Sequence, residues 1–157
     1  MGTGKSSVGR ELARQKKWQF LDLDDLIEEK EGTSIPEIFQ HRGEPYFRAL
    51  EKKCLAEASL KKEHVIACGG GIVIDPDNIK VMKQTGFMVC LTASPEVILA
   101  RTRQFSHRPL LNVENPEEKI RELLKNRAPY YCQAQVTIDT SIISIPAAVQ
   151  QIIQSLI

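Results

Sequence analysis

Six residues near the amino end, Gly2-Thr3-Gly4-Lys5-Ser6-Ser7, have the composition of a phosphate cradle. Glycines let successive backbone N–H groups turn inward around phosphate oxygens, and a helix starting there adds the positive end of its dipole. Val8, Leu12 and Ala13 follow at helical spacing, so the run reads as the second half of a P-loop, GxxxxGK[ST], without its first glycine. In that pattern Lys5 reaches the β and γ phosphates and Ser6 offers the hydroxyl used on Mg²⁺. The plain alternative is a glycine-rich helix start with a surface lysine.

A second set of residues suits an acceptor. Phe20-Leu21-Asp22-Leu23-Asp24 ends an apolar run with carboxylates at i and i+2, which on a strand lie on the same side. One could support a metal through water while the other takes a proton from an attacking hydroxyl; a solvated strand end is the alternative. Arg48 lies beside an apolar helical stripe of Phe47, Leu50, Cys54 and Ala58, with Glu44 and Glu51 one turn to either side. Those acids could orient a binding guanidinium, or simply form intrahelical ion pairs. Gly69-Gly70-Gly71 follows the strand-like run His64–Cys68; three glycines are entropically costly and signal either close approach of the backbone to a ligand or a plain turn.

Arg108 in His107-Arg108-Pro109-Leu110-Leu111 and Arg127 in Asn126-Arg127-Ala128-Pro129-Tyr130-Tyr131 complete the set. A guanidinium fork suits phosphate and carboxylate, each charged hydrogen bond contributing ~1.5–3 kcal/mol. Residues 104–115 form the one long irregular stretch, as a lid would. A lid arginine reaches the transferring phosphoryl group only on closure, when water is excluded; a solvated loop arginine is the alternative. His41, His64 and His107 have neither ligand spacing nor cysteine partners, so zinc is not supported.

The elements that must carry these residues follow from the hydrophobic pattern. Short apolar runs at Trp18–Leu23, His64–Cys68, Phe87–Thr92 and Gln135–Asp139 alternate with helical periodicity, the signature of an α/β chain with a parallel sheet. Ser34 with Glu37, Ser94 before Pro95, and Asn115 with Pro116 and Glu118 mark helix starts. Val149, Ile152, Ile153 and Leu156 put an apolar face on a last helix. The strand expected to deliver the chain to Gly2 is not in the sequence. Since it would be interior, the expectation is that Met1 is an internal methionine of a longer reading frame.

The 157 residues suit one domain. Apolar residues at 42% and charged residues at 26% exclude a disordered or fibrous chain. With 21 basic against 20 acidic side chains, no global field recruits nucleic acid or an anionic membrane, so an anion must be captured locally. Apolar runs fall well short of ~20 residues and no signal-peptide core is present, so the expected location is the cytoplasm. Cys54, Cys68, Cys90 and Cys132 form no CxxC pair and read as buried free thiols.

Taken in order, GTGKSS, FLDLDD, GEPYFRALE, ACGGG, RTR, HRPLL and NRAPYY resemble the shikimate kinase family over nearly the whole chain. The resemblance implies a nucleoside monophosphate kinase-like P-loop fold, with a five-stranded parallel sheet and a lid. It also implies transfer of the γ phosphate of ATP, with Mg²⁺, to the 3-hydroxyl of shikimate in aromatic amino acid biosynthesis. By motif, Gly2, Thr3, Gly4, Lys5, Ser6 and Ser7 would hold ATP, with Ser6 on Mg²⁺ and Asp22 supporting the metal through water. Asp24 would bind the acceptor hydroxyl. Arg48 and Arg127 would clamp the shikimate carboxylate, and Gly69, Gly70 and Gly71, Gly70 above all, would give backbone N–H groups to the same substrate. Arg108 would be the lid arginine, and Arg101 would flank adenine opposite the loop before Pro146. A monomer acting on a small molecule is implied. The chain departs from the family in lacking the first strand and first P-loop glycine, in having no polar or basic adenine-side residue within Ser141–Ile145 of the kind some members use, and in carrying His107 where an acid or amide is common. The alternatives are a P-loop kinase for another hydroxy acid, such as gluconate, and a non-catalytic paralogue.

Overall fold

Helices and strands alternate along the chain in a computed structural model that describes residues 2–102 and 113–156. The order is α1 (Lys5–Lys16), β1 (Gln19–Asp22), α2 (Leu23–Glu31), α3 (Ile35–Ala58), β2 (His64–Ala67), a 3₁₀ turn (Ile72–Ile74), α4 (Pro76–Thr85), β3 (Val89–Thr92), α5 (Pro95–Thr102), α6 (Pro116–Tyr131), β4 (Val136–Asp139) and α7 (Ile145–Ser155). All four expected strands form, each within its expected span.

The helix starts are held by the side chains that marked them. Ser34 and Glu37 form a reciprocal capping box on α3, and Asn115 accepts from the Glu118 N–H at the head of α6, satisfying donors a helix cannot pair internally. The segment from Ile35 to Ala58 is broken at Gly43 (φ 78°, ψ 170°), with Pro45 just beyond. Arg48 therefore rides on a helical section that begins after this break.

β1 and β2 pair in parallel, Asp22 opposite Ala67, and β3 and β4 pair in parallel, Thr92 opposite Asp139. The continuous five-stranded sheet implied by the resemblance is not formed by the described residues: they make two separate two-stranded pairs. Between the pairs lies an apolar cavity of about 770 Å³, bordered by Val65 and Ile66 of β2, Val89 and Leu91 of β3, and Leu12 and Ile152 of the flanking helices. The inner edges of β2 and β3 face this cavity instead of a neighbouring backbone.

One core packs Leu23 and Ile27 of α2 against Ile38, Phe47 and Leu55 of α3 and Ile72 of the 3₁₀ turn. A second joins Val8 and Leu12 of α1 to Val149 and Ile152 of α7. The burial expected of the cysteines holds for Cys54 but not for Cys132, which is exposed because it follows the last turn of α6; all four are free thiols. No helix among the described residues is long and apolar enough to cross a membrane.

Candidate active site

The phosphate loop leads directly into α1. Gly4, the residue before the helix, sits at φ 85° with no side chain capping the first turn. This left-handed geometry suits glycine, and the uncapped N–H groups of the first turn are free to face an anion. The loop is anchored from behind. The Thr140 hydroxyl donates to the Thr3 carbonyl at 2.9 Å, and Arg101 donates to the Gly2 carbonyl at 3.3 Å and to the Thr140 carbonyl at 2.7 Å. Arg101 is thus a strut tying the loop to the end of β4, a role its neighbours in sequence could not reveal.

Asp22 links this loop to the acceptor side. Its Oδ2 accepts from the Ser6 hydroxyl at 2.8 Å, and its Oδ1 accepts from the Asp24 N–H at 3.1 Å. The expectation that both acids share one side of a strand is corrected here: β1 stops at Asp22, which caps α2, and Asp24 lies in the first helical turn. Capping an exposed N–H outweighs one more extended residue. Ser6 and Asp22 together offer hard oxygen donors, the kind Mg²⁺ accepts alongside substrate phosphates, so the residues present fit that cation.

The acceptor side is built around the end of β2. Glu51, only 1% exposed, accepts from Arg48 Nη1 at 2.7 Å, while Glu44 accepts from Arg48 Nη2 at 2.9 Å. Burial works against the Arg48 cation, but Glu51 and Glu44 prevail and hold its pKa above the ordinary value. Desolvation pushes the Glu51 carboxyl up despite the opposing charge of Arg48. A side chain at Gly69 would come within 3.0 Å of Glu51 Oε1 and 3.5 Å of Asp24 Oδ1, and one at Gly71 within 2.5 Å of Arg48 Nη2. The glycine run therefore permits close approach, as its cost in sequence suggested.

Lys5, Asp22, Asp24 and Glu51 all lie within electrostatic reach of the Cys68 thiol, whose pKa burial raises to about 12. Phosphate-side and acceptor-side groups thus meet at the carboxyl end of β2, where α/β sheets bind ligands. Arg127 is buried at 7% exposure, and its charge acts on both Glu51 and Tyr131. Ser7 is exposed on the first turn of α1. Arg108, His107 and all but the last three residues of the expected lid lie outside the described residues.

On the acceptor side, reading the residues missed Tyr131. Its hydroxyl donates to the Gly70 carbonyl at 2.8 Å. The available signal was its position four residues beyond Arg127, hence on the same helical face.

Comparison with known proteins identifies the family to which the chain is similar. The shikimate kinase family model matches residues 1–157. A shikimate kinase of Caldanaerobacter subterraneus is 46% identical over 157 residues, covering 100% of this chain and 92% of that protein. A shikimate kinase of Thermus thermophilus is 46% identical, covering 99% and 85%. Among solved structures, the shikimate kinase of Acinetobacter baumannii in complex with shikimate superposes with a TM-score of 0.96 at 43% identity, covering 99% of this chain and 88% of that one. Matched from end to end by the family model and by full-span relatives well above 30% identity, the chain belongs to the shikimate kinase family.

Proposed function

We propose that the chain carries out its family's reaction, ATP-dependent phosphorylation of shikimate at the 3-hydroxyl, with the residues gathered at the carboxyl ends of β1 and β2. The observation that carries this is the convergence of Arg48, Glu51 and Asp24 on Gly69–Gly71, with Asp24 two residues beyond Asp22, which accepts from Ser6 of the phosphate loop. Gly2, Thr3, Gly4, Ser6 and Ser7 hold the nucleotide phosphates, and Lys5 neutralises the β and γ oxygens. Ser6, and Asp22 through water, would hold Mg²⁺, which when bound would offset charge on the transferring phosphoryl group and its leaving oxygen.

Arg48 and Arg127 grip the shikimate carboxylate as planar forks, while the backbone at Gly69–Gly71 reads the ring hydroxyls. Glu51 aligns the Arg48 fork and keeps it from turning to solvent. Asp24 accepts the proton of the 3-hydroxyl as its oxygen bonds to the γ phosphorus; the bridge bond to the β phosphate breaks, and ADP leaves. Arg108 is assigned to the closing lid and Arg101 to the adenine side. Release of ADP, compared across shikimate, quinate, gluconate and nucleoside monophosphates, tests the assignment. Shikimate should dominate, and Asp24→Asn should lower turnover by ~10²–10⁴. Undiminished turnover in that variant would remove Asp24 from its role.

We also infer that the cavity between β2 and β3 seats one further parallel strand of the same polypeptide. Two free inner edges and an apolar lining support this. So does the anchoring of Gly2 and Thr3 beside Thr140, just past the carboxyl end of β4, where a strand running parallel to β2 and β3 would emerge.

A further inference from the structure

Tyr131 closes α6. Its hydroxyl donates to the Gly70 carbonyl at 2.8 Å, from a ring with few rotatable bonds, and lies within electrostatic reach of the Arg127 cation one turn back on the same helix. The flanking carbonyls are held differently: Gly69 accepts from the Ile72 N–H at 3.2 Å and Gly71 from the Ile74 N–H at 3.1 Å, both within the 3₁₀ turn. Gly70 is the member of the run whose carbonyl is held by a side chain.

The consequence follows from peptide planarity. The Gly70 carbonyl and the Gly71 N–H belong to one trans peptide and point in opposite directions. Fixing the oxygen on Tyr131 therefore fixes the direction of that N–H, in a stretch whose lack of side chains would otherwise allow the peptide to turn over.

We propose that Tyr131 is a positioning residue for shikimate, fixing the direction of the Gly70–Gly71 peptide through its hydroxyl. This rests on the role proposed above for the glycine run. Tyr131 touches no reacting atom; it acts through that peptide.

The test is Tyr131→Phe, which keeps the ring and its packing. Loss of one neutral hydrogen bond should raise the KM for shikimate about fivefold. The KM for ATP should stay within about twofold of the parent, and kcat should fall far less than the shikimate KM rises. In an Arg127→Gln background the same substitution should add about the same fold-change, because the Gly70 bond does not involve Arg127. Amide exchange around Gly70 and Gly71 should quicken in Tyr131→Phe while that of α6 stays unchanged, a readout that global destabilisation would not give. An unchanged shikimate KM in Tyr131→Phe, beside a raised one in Arg127→Gln, would overturn the proposal while leaving the clamp standing. So would unchanged amide exchange at Gly70 and Gly71 in Tyr131→Phe. An Arg127→Gln protein with an unaltered shikimate KM would remove Arg127 from the clamp and leave the proposal standing.

Discussion

Gly71→Ala isolates the geometry of the carboxylate clamp from the stability of the fold. Gly71 lies at φ −89°, ψ −11°, open to any L residue, so alanine brings no backbone strain. The added methyl would sit 2.5 Å from Arg48 Nη2, 2.6 Å from Nη1 and 2.8 Å from Cζ. Ordinary contact needs about 3.5 Å, so the guanidinium must retreat by about 1 Å. It is the far end of a flexible side chain and can do so, at the expense of its 2.7 Å bond to Glu51 and its 2.9 Å bond to Glu44. A misplacement of about 1 Å in a positioning group can cost on the order of 10² in rate. The expected result is therefore a fall of about 10² in kcat/KM for shikimate, carried mainly by KM, with the KM for ATP within about twofold. Steady-state kinetics with each substrate varied in turn measures this, and a thermal melt should show the fold retained. Gly86→Ala is the control: its methyl would meet only the Met82 carbonyl at 3.7 Å, and kinetics should not change. An unaltered shikimate KM in Gly71→Ala would refute the placement of Arg48 on the substrate. Equal loss for both substrates would refute the separation of the two ends of the site.

Three further outcomes follow from packing and titration. Leu23, fully buried in the α2–α3 core and lying between Asp22 and Asp24 in the chain, should cost about 2–5 kcal/mol on truncation to alanine, read as a lower denaturant midpoint at unchanged slope. Hydrogen bonds from Thr33 and Ser34 hold the Glu37 carboxyl at about 2 against its usual 4.5. Its contribution is therefore present above pH 4.5 and lost as pH falls towards 2, and the gap in melting temperature between the parent and Glu37→Gln should close over that window. Extending the chain ahead of Met1 by six alternating valines and isoleucines should raise the melting temperature and slow amide exchange at residues 64–67 and 89–92. A Gly/Ser extension of equal length should do neither; equal behaviour of the two would sink the added strand.

Local punctuation made much of the fold legible. Ser34 with Glu37, Ser94 before Pro95 and Asn115 each open a helix in the structure as in the reading, because caps act within four residues. The four strands announced themselves by apolar runs that only a two-sided environment rewards. Asp24 was misplaced onto a strand because Asp22 could end the strand or continue it, and only the cap it gives to α2 decides. Arg101 and Tyr131 were opaque for a different reason. Their partners Thr140 and Gly70 are 39 and 61 residues away, and no short-range pattern encodes such distances. The acceptor groups lay between these cases: Glu44 and Glu51 were legible as helical neighbours of Arg48, whereas their meeting with the glycine run needed the crossing from α3 to β2.

The apolar space of about 770 Å³ between the two strand pairs has a consequence for association. Strand edges without a backbone neighbour are templates for pairing with other chains. With the inferred strand seated there, the inner edges of β2 and β3 are both paired; without it, the same two edges would recruit extended segments of neighbouring molecules.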